Sequence, residues 1–509
     1  MTSILNRTNC TLCVILGLLA AQAAAGNFDV RQYGAKGDGK TLDTAAINKA
    51  VEAASDAGGG TVYFPAGTYM SYSIRLKSNI TLYFDQGTTL VAAEPKGEEG
   101  YDLAEPNPTD MYQDYGHSHW HDSLIWGEHL ENIALMGPGL IHGKHLDRWD
   151  SDTEGRGNKI LAIKQCKNVI IRDVSFLMGG HFCILATGID NFTVDNIKID
   201  TNRDGINIDC CRNVRVSNCT VNSPFDDGIC LKSSYGLGFA RATENVTITN
   251  CQVSAFDPGT LLDGTYTKNE TGAPDKRGVT GRIKFGTESN GGFKNIAISN
   301  CVFHHCRGLA LETVDGGLLE DVTINNITMT DTTTAPIFLR LGSRMRGPEG
   351  TPVGKLRRVN ISNVTVYDAD PRYGSIITGI AGHPVEDVRL DNVRIYYRGG
   401  GTVEQAKLLP PEIAGEYPEP SMFGEMPAYG FYMRHVDGIQ MNNVKVAYMS
   451  EDQRPPFMLD RVTNAEFLNV TAQHEEEVPV FVLKDVENFR TVNSEIEDTK
   501  LQQVQEKRL

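Results

Sequence analysis

Three aspartates crowd the starts of two similar phrases of the chain, NRDGINID beginning at Asn202 and FDDGICLK beginning at Phe225. Asp204 and Asp227 hold matching places in the two phrases, and Asp226 stands just ahead of the second. Carboxylates grouped this way suit general acid and base work, in which one protonated group serves a leaving oxygen and the others hold a water. Two carboxylates on neighbouring strands, roughly 4.8 Å apart along the stack, resist ionising together and can share one proton or one water. Single acids at strand turns usually cap loops or face solvent, as in EDVTI and EDVRL. Three in register, next to Asp209 and Lys232, point instead to chemistry.

The elements that must position them repeat along the chain. KNVIIRDV, DNFTVDNI, RNVRVSNC, ENVTITNC, KNIAISNC and EDVTINNI, and later RRVNISNV, EDVRLDNV and DGIQMNNV, are variants of one phrase. Each alternates apolar and polar residues, is rich in β-branched side chains and opens on a turn-forming Asn, Asp or Gly, the pattern of a short half-buried strand. Successive phrases lie about 22 to about 50 residues apart, as in repeats that carry loops of variable length on one side. The expected fold is all-β: a right-handed parallel β-helix, a single-stranded solenoid whose apolar alternates stack inside.

Aligning GINID, GICLK, RIKFG and GLALE stacks Ile206, Ile229, Ile283 and Leu309 inward. Asn207, Cys230, Lys284 and Ala310 then point outward, toward solvent or substrate. The Asn recurring at one coil position predicts side-chain amide ladders, an alternative to glycosylation at sequons such as Asn245 and Asn326. Thr44 to Ala54 reads as a short amphipathic helix able to plug the N-terminal end of the core. The expected organisation is a leader over 1–25, one domain over 26–500 with a cap region at 26–75, and a polar tail over 501–509 that frays.

A formal charge of −16 and a pI near 5.3 argue against nucleic-acid binding, which needs a basic surface. The apolar run TLCVILGLLAAQAAA behind Arg7 reads as a secretory signal, giving export to a periplasmic or extracellular location. No other run is long enough for a stable membrane span. Of the eleven cysteines, two fall in the leader. The odd remainder sits in the middle third, where free Cys serves as a small core hydrophobe.

On NRDG, FDDG, the VRQYGAKGDGKTLDTAAINKAV opening and NIALMGPGLIHG, the chain resembles glycoside hydrolase family 28, the polygalacturonases. The resemblance implies a parallel β-helix that hydrolyses pectic poly- or oligosaccharide with inversion and without a metal or cofactor. Asn202, Arg203, Asp204 and Gly205 look like the family's Asn-Thr-Asp-Gly, and Asp226-Asp227 like its Asp-Asp. By that correspondence Asp226 is the general acid, and Asp204 and Asp227 activate the water. Asn202, Asp209, Lys232, Arg282, Lys284, Arg307, Glu312 and His181 are the candidate substrate-binding positions beside them.

Two motifs depart from the family. Thr280-Gly281-Arg282 stands where Gly-His-Gly is expected, and Ala310-Leu311-Glu312 where Arg-Ile-Lys would grip a sugar carboxylate. Glu312 should repel a uronate there. Rhamnogalacturonan or another decorated pectic chain is therefore the expected substrate. A β-helix polysaccharide lyase, needing Ca²⁺ and a Lys or Arg base, and a catalytically silent carbohydrate-binding protein are the alternatives. The linkage, endo or exo action and oligomeric state are not legible. GHSHWHD puts His117, His119 and His121 at alternate positions, a pattern for zinc or for a sugar-contacting loop. His304 and His305 are candidates to replace the missing family histidine. The Pro- and aromatic-rich insert at 407–435 would shape a cleft or pack on the flank.

Overall fold

A computed structural model describes residues 26–147, 155–269 and 278–509; the expected leader lies outside them. The chain winds as a parallel β-helix with three stacked faces. One turn runs through strands Asp204–Asp209, Arg212–Ser217 and Thr220–Asn222, each lying parallel to its counterpart one turn earlier and one turn later. Alternation drives this. Val214 and Val216 are buried while Asn213 and Arg215 between and before them are exposed, and the pattern recurs in the neighbouring turns. The inward residues merge into one apolar core running from Val30 to Val504.

Asparagine makes the corners. Asn132, Asn168, Asn191, Asn213, Asn245 and Asn295 all adopt left-handed backbone with φ of 55 to 61°, a conformation Asn tolerates because its side chain bonds locally. Their amides also join from turn to turn, each donating to the one before it at 2.7 to 3.3 Å, starting from Asn79. A second ladder takes in Asn218, Asn250, Asn300 and Asn326. The amides of Asn245 and Asn326 are thus committed to the fold.

Both ends are covered. Helix Thr44–Asp56 lays Ile47, Ala50, Val51 and Ala54 over the N-terminal end of the core, as its pattern predicts. At the other end the expected fraying tail is instead strand Thr499–Arg508, paired antiparallel with Phe481–Val492 and burying Val504. Backbone hydrogen bonding to an open edge orders a segment whose side chains are mostly polar. The nine cysteines from Cys166 to Cys306 are all buried and unpaired, with Cys219, Cys251 and Cys301 at equivalent places in successive turns. No helix among the described residues is long and apolar enough to cross a membrane.

The face carrying Asp204–Asp209 and Ile229–Ser233 matters most for function. Ile206 pairs with Ile229 and Asn207 with Cys230, and Lys284 and Ala310 continue that outward row. All four outward residues are buried, so of the expected alternatives, solvent or substrate, the first does not hold. Two satellite clusters cover this face. Upstream, Trp120 packs on Ala162, Phe182 and Leu185. Downstream, Phe423 and Met426 from the insert pack on Ala310, Phe338 and Ile376. The insert therefore packs on the flank and, with the Trp120 segment, leaves a polar gap between the two clusters.

Candidate active site

In that gap the predicted register brings the acids together. Continuing the pairing of Ile206 with Ile229 sets Asp204 opposite Asp227, and their apolar neighbours, locked in the core, fix which way each acid points. The Asp227 amide lies 3.1 Å from Asp204 Oδ1 and 3.1 Å from Asp226 Oδ1, so one N–H faces both carboxylates. All three acids are buried side chains.

Cations interleave with them. Arg282 donates to Asp227 at 2.8 Å and to Glu419 at 2.5 Å. Lys284 stands 3.5 Å from Asp227 and 3.4 Å from Glu312. Lys232 lies 3.0 Å from Glu288 and 3.9 Å from Asp204. Arg203, where the resembled family has Thr, donates to Asp226 at 2.9 Å. Burying isolated charges costs several kcal/mol each, and such groups persist only when paired and bonded. Burial opposes the charge on Arg282, and Glu419, Asp227 and Glu312 outweigh it, holding its pKa well above the ordinary arginine value. Burial likewise opposes ionisation of Glu288, but the cations Lys232 and Arg344 hold its pKa well below the ordinary value.

Several of these groups line a cavity of about 500 Å³. Asp204, Asp226, Asp227 and Lys232 line it from the β-helix face, Asp114 and His117 from the segment before Trp120, and Tyr417 and Glu419 from the insert. The insert is tied down by buried charge, since Glu419 also lies 2.8 Å from Arg307. Tyr417 accepts a 3.2 Å hydrogen bond from Lys284.

Of the predicted substrate-binding positions, Lys232, Arg307 and His181 line the cavity. Asn202, Asp209, Arg282, Lys284 and Glu312 lie outside its lining. Asn202 takes the Phe225 amide on its backbone carbonyl at 3.0 Å. Asp209 accepts from the amide and hydroxyl of Ser234 at 2.8 and 2.6 Å, a turn tether rather than a sugar contact. Arg282 and Lys284 are 1 % exposed and grip Asp227 from beneath. Glu312 is fully buried, 3.7 Å from Arg282 and 3.4 Å from Lys284. It lies against those cations and outside the cavity lining, so the repulsion expected there does not arise. Burial pushes its carboxyl up to about 7.

The three histidines do not converge. His119 meets the Glu105 carbonyl and His121 the Glu128 carboxylate, while His117 alone lines the cavity. His305 binds Asp331 away from the cavity lining, and His304 joins a separate apolar pocket with Phe256 and Tyr266. Asp114, Glu288 and Glu419 were missed from sequence; the only signal for Glu419 was the insert that carries it.

A family model described as rhamnogalacturonase A/epimerase, pectate lyase-like, matches residues 27–223. A probable polygalacturonase of Vitis vinifera is 24% identical over 316 residues, covering 58% of this chain and 59% of that protein. The chain thus spans less than two thirds of that relative's length. An exopolygalacturonase of Zea mays is 24% identical over 405 residues, covering 74% of this chain and 86% of its own. Among solved structures, the family 28 exopolygalacturonase of Yersinia enterocolitica superposes with a TM-score of 0.64 at 19% identity, covering 89% of this chain and 79% of that one.

Proposed function

We propose that this chain, a pectate-lyase-like β-helix with distant homology to the family 28 polygalacturonases, hydrolyses glycosidic bonds in a pectic polysaccharide by single displacement. The observation that carries the reading is the shared amide of Asp227, which faces the carboxylates of Asp204 and Asp226 in one cavity. In the proposed step, sugar entering the cavity displaces Arg203 from Asp226, and Asp226, then protonated, gives its proton to the glycosidic oxygen as the bond from that oxygen to the anomeric carbon breaks. A water held by Asp204 and Asp227 attacks that carbon from the opposite side and loses a proton to them. The anomeric configuration inverts and the protein returns to its starting state after one proton exchange with solvent. Arg282 and Lys284, beneath Asp227, keep the water-holding side charged.

Rhamnogalacturonan or a decorated pectic chain is the favoured substrate. The description of the matching family model supports this, as does the pairing of cavity cations with acids, exemplified by Arg307 with Glu419 and Lys232 with Glu288. The proposed working place is outside the cytoplasm; N-terminal sequencing of protein recovered from the periplasm or medium tests this through cleavage near Ala25. For the chemistry, Asp226→Asn is expected to lower kcat on a panel of pectic oligosaccharides by about 10²- to 10⁴-fold with little change in KM. Unchanged turnover would remove Asp226 from the acid role.

A further inference from the structure

We propose that His117, Asn207 and Glu288 form a subsite that reads the hydroxyl groups of an uncharged sugar ring beside the catalytic acids. This deepens the hydrolase reading and rests on it. His117 ends the short turn Tyr115–His117, packs its ring 4.4 Å from that of Phe182 and lines the cavity with Glu288. Asn207 lies beneath it in strand Asp204–Asp209. His117 and Asn207 are both buried and their polar atoms meet only one another, in a contact too poorly directed for a good hydrogen bond, and neither ring nitrogen nor amide atom has another hydrogen-bond partner in the protein. A buried polar atom left unsatisfied costs about 1–3 kcal/mol. Of the pair only His117 lines the cavity, with Asn207 directly behind it, and a ligand in the cavity that bonds the ring explains why these atoms are left open.

The chemistry selects the ligand. Burial pushes His117 down to about 4, so near neutral pH its imidazole is uncharged and carries one donor and one acceptor. A hydroxyl complements both. A carboxylate offers only acceptors and would also meet the carboxylate of Glu288. A divalent cation fits no better, because the carboxylates here are already held: Glu288 by Lys232 at 3.0 Å and Arg344 at 3.7 Å, and Asp114 by Arg346 at 2.9 Å.

Two non-hydrolysable probes with the same ring test this on the full chain by calorimetry: methyl 1-thio-α-D-galactopyranoside and its C6 carboxylate. The galactoside is expected to bind about ten-fold more tightly. His117→Ala should erase that preference, and Asn207→Ala should weaken it. His117→Gln, which keeps a donor and an acceptor, should recover part of it and serves where His117→Ala does not fold. Equal binding, preference for the carboxylate, binding of neither probe, or stoichiometric Mn²⁺ binding that is lost in His117→Ala each overturns the subsite. Failure of the hydrolase reading looks different: no pectic oligosaccharide is cleaved while the galactoside preference persists.

Discussion

Glu312 shows how one buried carboxyl couples the site to the stability of the fold. Its both-sided contact with Arg282 and Lys284 lacks any hydrogen bond, and burial raises it from the usual 4.5 to about 7. Between those two pH values the native carboxyl holds a proton that the unfolded chain has released. Its stabilising contribution is therefore complete below about pH 4.5 and is lost as pH rises through about 7. His117, pushed down by burial, contributes with the opposite sign, losing stability as pH falls from 6.5 toward 4. Glu312→Gln isolates the first effect: the melting temperature of the variant should fall less than that of the parent as pH is raised through this window. Parallel melting curves would mean that Glu312 is ionised throughout.

At the scale of the element, the corner asparagines unite two tasks, a left-handed backbone and a ladder bond. Asn213 accepts from Asn245 at 3.2 Å and donates to Asn191 at 3.3 Å with φ of 56°. Asn213→Ala loses both bonds and adds a left-handed penalty, for an expected loss of about 2 kcal/mol. Asn213→Gly keeps the backbone conformation and should cost less, as urea unfolding would reveal; equal losses would assign the whole effect to the ladder. These phrases were legible because strand alternation has a period of two and repeats at every turn, which also put Asp204 opposite Asp227. Alternation gives direction but not cover. It turned Lys284 outward correctly, yet nothing local told that Tyr417, carried by an aperiodic insert, would fold over it. The same limit misplaced Glu312, whose charge was read against a sugar when its partners are Arg282 and Lys284.

For the whole molecule, a solenoid must close its ends, and this one does so with helix Thr44–Asp56 and strand Thr499–Arg508. The tail was misread because antiparallel pairing draws on backbone groups, which a composition of Lys, Gln and Glu conceals. Removing 499–509 exposes the edge of Phe481–Val492, and the truncated chain should associate in light scattering while the parent does not. A truncated chain that scatters like the parent would show that the strand is dispensable cover. The same solenoid holds the proposed chemistry, since neighbouring turns supply the acids and the insert closes the cavity around them. Proton NMR of the newly formed reducing end, followed from the first moments of cleavage of a pectic oligosaccharide, tests this most directly. The account predicts the inverted anomer as the first product; the retained anomer, or an unsaturated product of elimination, would contradict it.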